Sequence, residues 1–386
     1  MTVGTAARRV GIIGLGLEVD KLPLMATDTY MKHFGSNVGN LAFSYAVHNQ
    51  IASPKGRVWS LNLPAEKLRE HFDVLVFPAA NNINAREDLG WLANLIEKSG
   101  LPMVIIGIGV QASSAEDKFP LPPGTQRFLS VVRDHNITLG VRGDFTRQFL
   151  LDRQVQNVVV TGCPSSFLNP DLQLGSLIAK AFAELPEEPS IALNLEYFRL
   201  ETEKTRVLTS WVRKQGGFMV FQSDENVIAL HRHDPAFNNA DPEYVRKVSY
   251  FAKYFLGSQH PQDFVRFAAQ YGRTFIHLPS WMDALRAVDL SVGTRFHGNM
   301  LALQVGRPAV VFTHDTRTLE LCQVTGVPHL PWSDIGAQDN IASVLKRVRF
   351  DADAYDRRRR EKAKLCRSLY EAAGIDVSSE LKALAA

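Results

Sequence analysis

The chain has 386 residues, 45% hydrophobic and 22% charged, with 26 Gly and 19 Pro; this ordinary globular composition excludes a disordered tail protein and a fibrous repeat. Basic residues exceed acidic ones by three charges, too small a surplus for bulk nucleic-acid binding but compatible with a local basic pocket for a small anion. The length predicts two domains, and three widely separated cysteines, Cys163, Cys322 and Cys366, fit neither a disulfide framework nor a zinc site and suggest a reducing compartment.

The start, Arg8-Arg9 and then an apolar run that meets Glu18 and Asp20, reads as a buried first strand and not as a leader. No stretch reaches the ~18 apolar residues of a spanning helix, so a cytoplasmic protein is expected. Runs rich in Val, Ile and Leu at 10–15, 73–77, 103–108, 138–141 and 157–161 predict strands buried on both faces of a parallel sheet. Helices are predicted between them at 40–51, 64–72, 85–99 and 143–151, with Pro64 in a first turn and Gly100 as a terminator. This alternation predicts a doubly wound α/β domain over 8–165.

Asn169-Pro170 and the segment Leu185-Pro186-Glu187-Glu188-Pro189 mark 166–189 as a linker. A second series follows over 190–350. Its predicted strands are 190–195, 218–222, 273–277, 290–293 and 309–313, and its helices 203–215, 241–256, 261–271, 296–305 and 316–324. Residues 351–386 form a charged C-terminal helix. Its Arg357–Arg360 run, diluted by Asp351, Asp353, Asp356 and Glu361, is read as a solvated face.

Two doubly wound (Rossmann-like) domains bind ligands outside the carboxyl ends of their strands, in a cleft the domains share. Residues that directly follow strands therefore carry the functional weight: Asn81 and Asn82, Gly109 to Gln111, Arg142 to Asp144, Cys163 to Ser165, Thr294 to His297, and Thr313 to Asp315. Gly11, Gly14 and Gly16 do not spell a dinucleotide fingerprint, because their order is G-x-x-G-x-G and no helix opens there. The sharpest constellation is Ser291 to Asn299. A helix begins there at a strand end, where free N–H groups attract an anion; Arg295 adds a permanent fork for phosphate or carboxylate, and His297 a group that exchanges protons near neutral pH. Arg142 ends another strand beside Gly143. Cys163 has no base adjacent in sequence and is read as a buried thiol, and His231-Arg232-His233 as part of a loop.

The stretch SVGTRFHGNMLALQVGRPAVVFTHD (291–315) resembles the arginine–x–histidine signature of the polysaccharide pyruvyl transferase family. LGVRGDFTRQFLL (139–151) with VVVTGCPSSFL (158–168) resembles that family's other characteristic stretch. GSNVGNLAFSYAV (35–47) and VLVFPAANNI (74–83) stand where the family has glycine-rich N-terminal loops. The resemblance implies a fold similar to two-domain glycosyltransferases of the B type. It also implies transfer of pyruvate from phosphoenolpyruvate to a sugar of a polysaccharide or its lipid-linked precursor, as a cyclic ketal. Phosphoenolpyruvate is then the donor substrate, and neither cofactor nor metal is called for. The N-terminal domain would take the acceptor and the C-terminal domain the donor.

On this reading His297 and Arg295 are catalytic. Arg142, Arg295, Thr294 and His314 bind the donor, and Asn37, Asn40, Asn81, Asn82 and Gln111 the acceptor. The partners are small-molecule donor and saccharide acceptor, with no nucleic acid, and peripheral membrane contact through a lipid-linked acceptor. The loops depart from the family pattern: Asn40 where an acidic residue is frequent, Pro78 to Asn82 where more glycine is usual, and His314 to Arg317 where a lysine is common. These departures bear on the acceptor more than on the donor. Two alternatives stay open: a nucleotide-sugar glycosyltransferase of similar fold, with Glu320 gripping a ribose, and a non-catalytic glycan-binding homologue.

Overall fold

The computed structural model describes residues 7–112, 119–197, 200–235, 237 and 241–386. Among them, the strands are β1 (Val10–Ile12), β2 (Lys55–Arg57), β3 (Val74–Pro78), β4 (Met103–Ile108), β5 (Leu139–Val141), β6 (Val158–Val160), β7 (Ile191–Asn194), β8 (Gly217–Val220), β9 (Gly272–Arg273), β10 (Leu290–Gly293), β11 (Ala309–Thr313) and β12 (His329–Pro331). They form two six-stranded sheets, ordered β2-β1-β3-β4-β5-β6 and β12-β11-β10-β7-β8-β9, and every pairing is parallel. Counted within itself, the second order is the 3-2-1-4-5-6 arrangement of dinucleotide-binding folds, so its strand order reverses between β7 and β10. In the first sheet the reversal lies between β1 and β3. The expected fold class, two doubly wound domains, is what the chain adopts.

The apolar runs do what their composition predicts. Alternate residues of the first sheet point to opposite faces: Leu75, Phe77, Ile105 and Leu139 pack against the helices around Leu92, Phe128 and Leu150. Val74, Val76, Val104 and Ile106 pack on the other side. That second face is covered by the far end of the chain, through Ala363, Cys366 and Tyr370 of helix Ala352–Ala372 and Leu381 and Leu384 of helix Ser379–Leu384. Conversely, Tyr30, Met31, Phe34 and Leu41, early in the chain, belong to the core of the second sheet. Each sheet thus borrows part of its cover from the other half of the sequence.

Several predicted elements need correction. The segment 166–189 contains a helix, Leu174–Ala183, whose Leu174 and Ile178 are buried in the second core. The helix predicted from 85 starts at Gly90, because Asn84 Oδ1 takes the backbone N–H groups of Arg86 (2.9 Å) and Glu87 (2.8 Å) and holds a loop instead. The strand predicted over 273–277 stops at Arg273; Phe275 turns away to stack on Trp281, ring centroids 5.4 Å apart.

The arginine run is not uniformly solvated. Arg359 is 2% exposed, pairs with Asp356 at 3.3 Å, and donates to the carbonyls of Ser166 (3.3 Å), Asp171 (3.0 Å) and Asn169 (2.5 Å). No helix of the described residues is long and apolar enough to cross a membrane.

Candidate active site in the cleft between the sheets

One cleft is lined from both halves of the chain. Asn81 follows β3 and Arg142 follows β5 in the first sheet. Glu196, Gln222, Thr294 to His297 and His314 follow β7, β8, β10 and β11 in the second. The site therefore lies outside the carboxyl ends of the strands, as doubly wound sheets dictate.

Arg142 is held by the first sheet and is only 3% exposed. The β4–β5 register slips between Ile106 and Ile108. Gly107, at φ 77°, takes up the bulge in a region that favours glycine, and its carbonyl accepts from Arg142 Nε at 2.7 Å. Arg142 Nη1 donates to Asn81 Oδ1 at 2.6 Å, and the guanidinium lies 5.9 Å from the Phe43 ring centroid. Among the described residues no carboxylate comes within ion-pair distance of Arg142. Burial, and then repulsion from Arg317, lower its pKa. A guanidinium placed this way is short of an anion.

Arg295 and Arg317 are compensated. Arg295 pairs with Glu196 at 2.8 Å and donates to Ser223 Oγ. Thr294 Oγ1 accepts the Glu196 backbone N–H at 2.7 Å and so fixes that carboxylate's segment. Arg317 pairs with Asp315 at 2.7 Å. Among the described residues, three guanidiniums thus face two paired carboxylates, and one positive charge is left over.

A buried amide network carries the β10 end of the site. Asn299 donates to the carbonyls of Gly293 (3.1 Å) and Arg295 (2.9 Å) and accepts from Ser291 Oγ (2.8 Å). Ser291 Oγ in turn accepts from Asn194 (2.9 Å), whose Oδ1 accepts from Gln222 (3.1 Å). These bonds satisfy the polar groups of the turn that aims Arg295 and His297.

His297 opens the helix Phe296–Gln304, its ring 5.5 Å from that of Phe43. Burial, followed by the positive fields of Arg142, Arg317 and Arg295, lowers its pKa to about 3. This shift opposes the expected titration near neutral pH and favours the neutral imidazole at pH 7. His314 is also pushed down, mainly by burial; its Nδ1 is buried without a partner, and its Nε2 lies 3.7 Å from Asp315 Oδ2.

The structure brings Arg142, Thr294, Arg295, His297, His314, Asn37, Asn40 and Asn81 to the cleft. It does not bring Asn82 or Gln111 there. Asn82 closes its own loop, accepting from Ala80 N–H (2.6 Å) and donating to Glu87 (2.7 Å). Gln111 is exposed, and its backbone N–H bonds to Ile83 O at 2.9 Å.

Glu196, Gln222 and Arg317 also line the cleft; in the sequence Arg317 is marked only as part of a divergent loop, and the other two are not singled out. The first two stand just beyond β7 and β8, so the strand-end rule points to them. Cys163, read as having no base nearby, has its Sγ 3.5 Å from His297 Nε2; it is buried, as expected. Glu320 is engaged elsewhere: it accepts from Thr146 N–H (2.7 Å) and Thr146 Oγ1 (3.0 Å), across the two halves. A side chain on Gly143 would collide with it. Arg232 serves structure, donating to Met25 O (2.7 Å) and Thr27 Oγ1 (3.1 Å).

Comparison with curated proteins returned no match. Solved structures similar to this chain include a candidate UDP-N-acetylglucosamine 2-epimerase from Listeria monocytogenes, at 12% identity and TM-score 0.45, covering 95% of this chain and 98% of that one. The UDP-GlcNAc 2-epimerase from Neisseria meningitidis, bound to UDP-GlcNAc, is 9% identical with TM-score 0.44, covering 92% and 98%. That from Methanocaldococcus jannaschii is 11% identical with TM-score 0.42, covering 90% and 98%. The model of one sequence family, polysaccharide pyruvyl transferase, matches residues 36–316. That span holds the Asn37 loop, Arg142 and the Arg295–His297 turn, and takes in well over half of the chain: the protein belongs to the polysaccharide pyruvyl transferase family.

Proposed function

We propose that the protein transfers pyruvate from phosphoenolpyruvate to a saccharide, as a cyclic ketal. The observation that supports this best is the convergence of Arg142, Arg295 and Arg317 around a neutral His297 in one cleft. Phosphoenolpyruvate carries a phosphate and a carboxylate. Arginine forks match both groups, and Arg142, with no carboxylate partner among the described residues, gives the anion a reason to enter.

The reaction asks for few groups. An acceptor hydroxyl oxygen bonds to the enol carbon as the CH2 carbon gains a proton and becomes methyl. The carbon–oxygen bond to phosphate then breaks, phosphate keeping the electron pair. A second hydroxyl bonds to the same carbon and gives up its proton, so donor and diol become ketal and inorganic phosphate. Neutral His297 accepts the hydroxyl proton, and the arginines stabilise the departing phosphate. Thr294 holds Glu196 in place and His314 lies on the donor side. The amides of Asn37, Asn40 and Asn81 suit sugar hydroxyls. This scheme needs no cofactor and no metal. We place the enzyme in the cytoplasm, meeting a polysaccharide precursor that is lipid-linked at the membrane surface.

The test is thermal unfolding with phosphoenolpyruvate beside a panel of UDP- and GDP-sugars, because a ligand that binds only the folded state stabilises by about 2.7 kcal/mol at a hundred times its Kd. Stabilisation by phosphoenolpyruvate, with phosphate release that needs a saccharide, is expected. Stabilisation by a nucleotide sugar alone would replace this proposal with a glycosyltransferase.

A further inference from the structure

His297 enters the cleft from the second half of the chain, yet among the described residues its ring has one hydrogen-bonding partner, and that partner comes from the first half. It is Cys163 Sγ, 3.5 Å from Nε2. Cys163 is fully buried and its own surroundings hold it firmly. It caps the short turn Pro164–Phe167, its carbonyl accepts from Ser166 N–H at 3.0 Å, and the Pro164 carbonyl is gripped by Gln50 Nε2 at 2.9 Å. On its far side, Ser165 Oγ lies 3.0 Å from the sulfur.

A neutral imidazole has one N–H and one bare nitrogen, and the bond made by one nitrogen decides which is bare. A base that must act from a fixed direction is normally oriented by a third group. In this site the third group is a thiol. We propose that Cys163 is the positioning residue for His297: its sulfur accepts the Nε2 hydrogen and passes its own hydrogen toward Ser165 Oγ, leaving Nδ1 bare. The bare nitrogen is the one available to a reacting hydroxyl. The proton count is unchanged, so no oxidant or further reactant is needed. The contact also crosses between the halves, so His297 is correctly turned only while the two sheets keep this spacing. The inference rests on the proposed role of His297, but its decisive measurement does not depend on the reaction.

That measurement is ¹⁵N NMR of the imidazole in the unliganded full-length protein at pH 7, for wild type, Cys163→Ala and Cys163→Ser. The wild type should show hydrogen on Nε2 and a bare Nδ1. Cys163→Ala should show both tautomers in exchange, and Cys163→Ser should restore the wild-type pattern. Hydrogen on Nδ1 in the wild type, or an unchanged tautomer in Cys163→Ala, overturns the inference. Where turnover is measurable, Cys163→Ala should lower kcat about 10- to 100-fold, the usual effect of losing an outer partner. The donor KM should stay within about twofold, because the arginines and not the thiol hold the anion. A matching fall in Cys163→Ser, with its tautomer intact, would mean that the thiol acts through packing and would also overturn it. If the tautomers behave as stated but no pyruvyl transfer is found, the proposed reaction fails and the positioning role stands.

Discussion

The depressed pKa of His297 makes the folded protein sensitive to acid in a way one substitution removes. The unfolded chain binds a proton at this residue below about 6.5, and the folded chain only below about 3. Falling pH therefore favours the unfolded state through that window, while above 6.5 the contribution to stability is complete. With one pKa unit worth about 1.4 kcal/mol, the loss is at most about 1.4 kcal/mol at pH 5.5 and about 2.7 kcal/mol at pH 4.5. Water in the open cleft reduces both figures. The comparison is thermal unfolding of wild type and His297→Gln from pH 8 to 4.5. The two Tm curves should keep a constant offset above pH 7 and move by at most about 3 °C in favour of the variant as pH falls to 4.5. Phosphoenolpyruvate, by offsetting the arginine charges, should raise the imidazole pKa and shrink this gap. Parallel curves over the whole range, or an imidazole that titrates at its ordinary value by NMR, would show that the arginines and burial do not control His297.

Arg295→Lys keeps the charge but loses the fork, so donor affinity by calorimetry should fall about ten- to a hundredfold, equivalent to a charge-assisted contact of ~1.5–3 kcal/mol. His297→Ala should lower turnover about 10²–10⁴-fold with donor affinity nearly unchanged; weak binding with normal turnover at saturation would make it a ligand-holding residue instead. Arg142→Met should abolish donor binding without lowering the Tm of the unliganded protein, because it removes a buried charge that has no carboxylate partner among the described residues; a clear fall in Tm would assign the guanidinium to structure. Glu320→Ala removes both bonds to Thr146 and should destabilise by about 1–3 kcal/mol in chemical denaturation, leaving donor affinity within a few-fold. A selective loss of nucleotide-sugar binding in that variant would return Glu320 to the role of a ribose grip.

What was legible in the sequence follows from which signals are local. β10 and β11 match their predicted bounds residue for residue, because each is a short, fully buried strand inside the second sheet. β2 was missed because Lys55-Gly56-Arg57 is an edge strand with no apolar residue to announce it. The strand-end rule found Arg142, Arg295 and His297 without a three-dimensional fold. It could equally have reached Glu196 and Gln222, which were overlooked because no basic or glycine residue beside them drew attention. Cys163 and His297 are 134 positions apart, and no spacing encodes that contact. Arg359 was recoverable: Tyr355, Arg359, Ala363, Cys366 and Tyr370 share one helical face, so periodicity singles out this arginine where composition saw only a run of four.

The exchange of cover between the two halves has a consequence for how the protein is made. The first sheet is translated early, but one of its faces is covered only in part, by Val47, Ile51 and Phe167, until residues 363–384 leave the ribosome. Helix Thr27–His33, made earlier still, must wait for its own partners in the second core. Neither half is a self-sufficient folding unit, so a nascent chain stopped near residue 350 exposes Val74, Val76, Val104 and Ile106 to whatever apolar surface is at hand. Cutting the chain between the sheets therefore yields two sticky fragments, and the natural route to two pieces that reassemble is to leave the last helices with the first sheet, by circular permutation.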